Sequence, residues 1–542
     1  LTRTPYNKAM GNLAYGWLQP IRPASEGHVV GVQDVRGRFE SDGKFHPFHQ
    51  EIDDGFDTVE WCARQPWSNG RVGMYGISYL GATQWLAAAS QAPNLQCIFP
   101  GLTGSDYYDG WTYRGGAFEL GFNLTWAALL LGLPEVPRLG LEAAEMQAAM
   151  GALAPVAGNP FPALNHLPIA DAPPFANAKV ANYYREWLDH PTRDEYWEPV
   201  TIERAHPRIH TPAYNLGGWY DLFIRGTLRN YSGMKANGAT AVAREGQKLI
   251  VGPWSHGATL TAMVGSRVFG ASSQVLLEDL HMRWFDRWLK DRDTGIDAEP
   301  AVRVFTMGVN RWDTYSDWPP PEAKQTRYYL HSNGSAATVH GDGVLSTEGP
   351  GAERPDNFVY DPLNPCPTVG GALFPYPLEV PPGPFDQEEV ERRPDVLCYT
   401  TAPLDRDIQV TGTVDVTLWV TSSAPDTDFT AKLVDVFPDG TAINLTDGII
   451  RARYRGGFER GEPLQAGVPA EGRIELAGTS NGFEKGHRIR LEVSSSNFPR
   501  FDRNTNTGAN IATDRDIQLA VNTVFHDERR PSWMTLPVVG ES

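Results

Sequence analysis

A chain of 542 residues exceeds the size at which a single hydrophobic core stops growing, so two or more domains are expected. Apolar residues at 41% and charged residues at 21% match an ordinary globular protein and exclude a disordered one. A formal net charge of −18 lacks the basic footprint of a nucleic-acid binder, and no run of about 18 apolar residues exists to cross a membrane.

Leu1 is not an initiator methionine, and the first residues already read like the end of a buried strand. The expectation is that a segment lies upstream of this numbering. His28–Gln33 then reads as a short strand, and Ile52–Gln65 has helical spacing through Phe56, Val59 and Trp61. The acidic residues Asp53, Asp54 and Asp57 suit that helix's positive N-terminal end. Arg71–Tyr75 is a strand, Leu80–Ser90 a small-residue helix and Cys97–Pro100 another apolar run. This alternation predicts a mostly parallel sheet with helices on both faces.

From about residue 106 to 207 the pattern changes to aromatic, Leu- and Ala-rich stretches broken by Pro and Gly, which predicts a helical insertion. Within it, Leu141–Leu153 reads as an amphipathic helix, while Trp126–Leu133 is apolar but too short to span a bilayer. Strand signals resume at Ala213–Leu216 and Lys248–Val251. A helix follows with Leu277, Leu280, Trp284 and Trp288 on one face. Beyond the linker Trp318-Pro319-Pro320-Pro321, short alternating segments such as Val410–Val420, Phe429–Phe437 and Arg488–Ser494 are separated by Pro-Asp-Gly and Asn-Gly turns. They predict an all-β sandwich or jelly roll of roughly two hundred residues. Cys62, Cys97, Cys366 and Cys398 are scattered and form no C-x-x-C pair, which argues against a zinc or redox motif.

The chemistry centres on Gly76-Ile77-Ser78-Tyr79-Leu80-Gly81, which lies between a strand and a helix. That context suits a nucleophile elbow, a tight turn that lifts a serine hydroxyl clear of the sheet. The usual pattern has glycine at position 80; here Leu80 stands there and glycine comes one residue later. A seryl hydroxyl needs a base. Among 13 histidines, His256 in Gly252-Pro-Trp-Ser-His256 lies just past a strand, and so does Asp221 in Gly217-Gly-Trp-Tyr-Asp221. The chain order Ser, Asp, His is that of α/β-hydrolases. His46 and His49 could suggest a metal pair, but no third ligand has suitable spacing. Asp34 and Arg36 are expected to form a structural ion pair.

Three segments together carry a resemblance: Gly-x-Ser-Tyr-x-Gly, Gly-Trp-Tyr-Asp and Gly-Pro-Trp-Ser-His. They resemble the cocaine esterase / X-prolyl dipeptidyl aminopeptidase / α-amino acid ester hydrolase family. Gln33-Asp-Val-Arg-Gly37 and Leu491-Glu-Val-Ser-Ser-Ser-Asn-Phe-Pro-Arg500 extend the likeness over nearly the whole chain. It implies an α/β fold: an α/β-hydrolase core in two parts (1–105 and 208–317), a helical cap (106–207) and a C-terminal β jelly roll (318–542). It implies catalysis by Ser78, Asp221 and His256. The oxyanion hole would combine the Tyr6 hydroxyl with the Tyr79 backbone N–H; spacing alone would read Tyr6 as a packing tyrosine. The acyl pocket would be walled by Trp111, Trp126, Phe223 and Phe374, although the segment around Phe374 departs from the family pattern.

The activity implied is hydrolysis of carboxylic esters with an aromatic or apolar acyl group, needing no cofactor and no metal. The partner is a small-molecule ester, with neither nucleic acid nor membrane involved, and a homodimer is left open. The resemblance favours a cytoplasmic location. An alternative keeps the triad but makes the protein an X-prolyl aminopeptidase or an α-amino acid ester or β-lactam acylase, with Asp106, Asp109 or Glu119 holding the substrate's α-amino group. A carbohydrate-binding protein without catalysis is a third reading, because jelly rolls often bind glycans.

Overall fold

A computed structural model describes residues 1–11, 18–376 and 379–540. The chain begins with β1 (Thr2–Thr4), which pairs in parallel with β2 (Val32–Asp34). The strand expected from His28 therefore starts four residues later. Helix α1 (Glu51–Ala63) follows, with Glu51, Asp53 and Asp54 in its first turn, where acidic side chains meet the positive end of the helix dipole. Next come β3 (Val72–Ile77), α2 (Tyr79–Ala89) and β4 (Leu95–Gly101). After the inserted segment the order resumes with β5 (Tyr214–Tyr220), α3 (Ile224–Asn237), β6 (Lys248–Ser255), α4 (Leu277–Lys290) and the hairpin β7 (Val302–Thr306) and β8 (Arg311–Tyr315).

Among the described residues, six of these strands form one sheet in the order β8-β7-β6-β5-β4-β3. Every neighbouring pair is parallel except β7 and β8. β1 docks beside β3 through Tyr75 N–H to Leu1 O, 3.2 Å, and the Leu1 amino group to Gly73 O, 2.8 Å. Side chains alternate across a strand, and this sheet uses both faces. Met74 and Ile98 enter a core shared with α1, α2 and the inserted segment, whereas Tyr75, Cys97 and Phe99 enter the core under α4. That two-sided burial is why these strands read as continuous apolar runs.

The insertion contains a small hairpin (Tyr113–Arg114 with Ala117–Phe118) and mostly short helical turns. Its longest α-helix, Ala143–Leu153, turns Met146, Ala149 and Leu153 inward. The helix Leu120–Thr125 runs straight into seven π-helical residues, Trp126–Gly132. The C-terminal part is dominated by an eleven-stranded, mainly antiparallel sheet. Within it Ile408–Ser422 pairs with three other strands and carries a bulge between Thr413 and Asp415. All four cysteines are unbridged. No helix among the described residues is long and apolar enough to cross a membrane.

Candidate active site

Parallel strands deliver their following residues to one sheet edge, and Ser78, Asp221 and His256 each come directly after a strand (β3, β5 and β6). Ser78 has φ 60°, ψ −125°, a conformation strained for a residue with a Cβ. Its backbone is fixed by Ser78 N–H to Gly101 O, 2.9 Å, and by Gly81 and Ala82 N–H donating to Ser78 O. The turn closes only because of two glycines. A Cβ on Gly76, where φ is 134°, would lie 2.5 Å from Leu80 Cβ, and one on Gly81 would lie 2.8 Å from Thr103 Cβ and 2.9 Å from Gly101 O. Leu80 is tolerated at the usual glycine position because its side chain folds over bare Gly76, while the close approach to β4 has moved to Gly81. Gly81→Ala is expected to destabilise the fold by about 1–3 kcal/mol through overpacking. Thermal denaturation checks this, and an unchanged midpoint would show that the elbow can relax.

Asp221 is fully buried and accepts from the Phe223 N–H through Oδ2, 3.1 Å. Its Oδ1 lies 2.6 Å from His256 Nδ1. With that nitrogen protonated, Nε2 is left as the free, basic lone pair. The half-buried Tyr6 accepts from Trp126 Nε1–H at 3.0 Å, and its ring meets that of Tyr79 edge-on with centroids 6.5 Å apart. Burial pushes the Tyr6 phenol up to about 12, against smaller opposing contributions from Trp126, Ser78 and Arg38, so at neutral pH it remains a proton donor.

Tyr79 opens α2, where amides lack an intrahelical acceptor. Its side chain is anchored behind the site: its hydroxyl donates to Glu51 Oε1, 2.9 Å, and accepts from Phe48 N–H, 3.0 Å. Glu51 is in turn paired with Arg3 at 2.6 Å, and both are buried. Sequence reasoning missed Arg3 and Glu51, because neither belongs to a motif and their partner is the side chain of a residue noted only for its amide.

Aromatic rings connect Trp126 to His256. Trp126 stacks on Phe122 at 5.4 Å, Phe122 meets Phe374 at 5.0 Å, and Phe374 reaches His256 at 5.7 Å. Trp111 stacks on Phe223 at 4.0 Å, and Phe223 lies 5.5 Å from His256. The four aromatics expected from sequence are thus brought together, with Phe122 as an unforeseen fifth. Its position four residues before Trp126 in a helix is the signal that could have found it.

Other expectations fare differently. Arg36 pairs with Asp54, not with Asp34. Asp34 instead accepts from the Lys8 N–H at 2.7 Å and lies 3.6 Å from the Lys8 ammonium. The reason is that β2 ends at Asp34 and the chain turns at Arg36, whose guanidinium reaches Asp54 on α1 instead. His46 Nε2 lies 2.7 Å from Glu186, and no group of three metal-ligating side chains occurs among the described residues. Asp106 is paired with Arg193, Asp109 with Arg225 and Arg229, and Glu119 with Arg114. Burial alone would raise the Asp109 carboxyl, but its two arginines overcome this and hold it well below the usual carboxylate range.

Residues 1–258 match the family model for X-Pro dipeptidyl-peptidase (S15 family), and residues 294–535 match the X-Pro dipeptidyl-peptidase C-terminal non-catalytic domain. The chain is 39% identical to cocaine esterase from Rhodococcus sp. (strain MB1 Bresler) over 549 residues, which cover 99% of this chain and 93% of that one. Among solved structures, an α-amino acid ester hydrolase superposes with a TM-score of 0.78 at 25% identity, covering 99% of this chain and 91% of its own. An aminopeptidase from a marine sediment Thaumarchaeota archaeon gives 0.79 at 24% identity with the same coverage and so shares the fold. An S15 catalytic domain and its C-terminal companion are both present, and this chain belongs to the cocaine esterase / X-Pro dipeptidyl-peptidase / α-amino acid ester hydrolase family of serine hydrolases.

Proposed function

We propose that the protein hydrolyses carboxylic esters with an aromatic or apolar acyl group, using Ser78 as nucleophile, His256 as general base and Asp221 as the residue that orients it. The observation that carries this reading is a strained Ser78 at the end of β3, on the sheet edge that also carries the Asp221–His256 pair, 2.6 Å apart. His256 Nε2 takes the Ser78 proton as Oγ attacks the ester carbonyl. The Tyr6 O–H and the Tyr79 N–H then receive the oxyanion. His256 returns the proton to the departing alcohol, and water cleaves the acyl-enzyme by the same route in reverse. The aromatic walls supply apolar area for the acyl group without fixed charge.

This reading extends to the architecture. The six-stranded sheet with Ser, Asp and His after β3, β5 and β6 supports an α/β-hydrolase core, the segment 106–207 a cap, and the C-terminal strands a jelly roll. β8 pairs inside the first sheet, which supports a boundary near 318. A glycan-binding protein without catalysis has no use for this sheet-edge constellation.

The aminopeptidase or acylase reading needs a free carboxylate for an α-amino group. The three carboxylates that could serve it are all engaged by arginines. An ammonium brought into an aromatic pocket without a partner costs several kcal/mol. Benzoyl esters are therefore expected to turn over at least about tenfold faster than matched α-aminoacyl esters and amides. A kcat/KM panel checks this; faster turnover of the α-amino substrates would transfer the protein to the acylase branch.

A further inference from the structure

Arg38 is a buried guanidinium, 1% exposed, whose hydrogen bonds all go to backbone carbonyls. Nε donates to Pro5 O at 2.9 Å, Nη1 to Leu131 O at 2.9 Å and Nη2 to Leu130 O at 3.2 Å. No carboxylate makes an ion pair with it among the described residues, and it rests on the rings of Phe39 and Phe45 at 5.1 and 5.0 Å. Burial pulls the guanidinium below its ordinary value, opposed weakly by more distant groups that include Tyr183 and Glu135. Keeping an unpaired cation in such a place is costly, and cation–π contact recovers only part of that cost.

Its three acceptors belong to two segments that meet at Tyr6. Pro5 is the preceding residue in the chain. Leu130 and Leu131 lie in the π-helical stretch that begins with Trp126, and π-helical turns are rare and concentrate at functional sites. Trp126 itself donates to the Tyr6 oxygen. A phenol oxygen that accepts one hydrogen bond becomes a better donor. Arg38 also eases ionisation of Tyr6, the mark of a positive potential at that oxygen.

We propose that Arg38 is a positioning residue for the oxyanion hole, clamping the Tyr6 backbone to the π-helix so that Trp126 holds the Tyr6 hydroxyl as a donor to the reacting carbonyl oxygen. The proposal rests on the reading of Tyr6 as an oxyanion donor. Its charge adds a second, smaller benefit, because a nearby cation favours negative charge in the transition state more than the neutral ground state.

The test measures kcat and KM on a benzoyl ester for Tyr6→Phe, Arg38→Leu, Trp126→Phe and the Tyr6→Phe/Arg38→Leu double variant. Rates are normalised to active sites titrated with a phosphonate. Tyr6→Phe is expected to lose about 10²–10³-fold in kcat. Arg38→Leu should lose about 10–100-fold, at nearly unchanged KM, because it disturbs the same donor. The double variant should be no slower than Tyr6→Phe alone, since coupled residues are not additive. Losses that multiply in the double variant would overturn the proposal, because Arg38 would then act independently of Tyr6. So would wild-type kcat in a folded Arg38→Leu variant, whatever Trp126→Phe does. If Arg38→Leu fails to fold, Arg38→Lys decides: it keeps the charge but cannot bridge both segments, and wild-type kcat would overturn the clamp. A Tyr6→Phe variant with wild-type kcat is a different failure, because it sinks the oxyanion reading on which the proposal stands.

Discussion

Replacing Ser78 by alanine is expected to lower kcat for ester hydrolysis by on the order of 10⁶-fold while leaving the thermal midpoint nearly unchanged. The chemical reason is that no other group near the elbow can form the acyl-enzyme. His256 would have no hydroxyl to deprotonate, and the donors around the oxyanion would be left to assist a poorly placed water. The structural reason for a silent midpoint is that alanine has the same Cβ as serine. It adopts φ 60° at the same cost, and the backbone bonds to Gly101, Gly81 and Ala82 do not involve the hydroxyl. A p-nitrophenyl benzoate assay, corrected for spontaneous hydrolysis, measures the loss, and a fluorophosphonate probe reports labelling at the same position. Activity equal to that of the natural chain would remove Ser78 as nucleophile and with it the proposed mechanism.

Asp221→Asn should cost about 10⁴-fold in kcat, for a reason that can be traced atom by atom. In the natural protein Oδ2 accepts from Phe223 N–H and Oδ1 faces His256 Nδ1. An asparagine must keep its one oxygen on the Phe223 N–H, since a buried amide without an acceptor is expensive. Its NH₂ group then faces His256 Nδ1 and obliges that nitrogen to accept. The ring proton moves to Nε2, the nitrogen that has to serve as base. Substrate binding does not use this pair, so KM should change little, while phosphonate labelling should slow in parallel with kcat. Labelling at the natural rate would mean that Asp221 does not set the tautomer.

Much of the candidate site was legible because it rests on local signals. Apolar runs bounded by Gly and Pro marked β3, β5 and β6, and parallel strands place whatever follows them at one edge. Ser78, Asp221 and His256 were found that way. Leu80 in place of the usual glycine looked like a defect in the pattern, and only the packing of its side chain over Gly76 explains it. Trp111, Trp126, Phe223 and Phe374 were expected as acyl-pocket walls by resemblance alone, yet the indole N–H by which Trp126 holds Tyr6 depends on where Tyr6 sits, 120 residues away.

By itself the sequence determined the alternation of strand and helix, the elbow with its glycines, the change to short β segments after the Pro-rich linker, and the residue types available at each strand end. These follow from periodicity and turn chemistry, which act over a few residues. Tertiary structure decided the partners. Arg36 took Asp54 rather than Asp34, Asp109 was neutralised by Arg225 from 116 residues away, and Arg38 was spent on carbonyls at Pro5, Leu130 and Leu131. Pairing of charges and hydrogen bonds depends on distances across the fold, and one sequence read along its length carries no record of those distances.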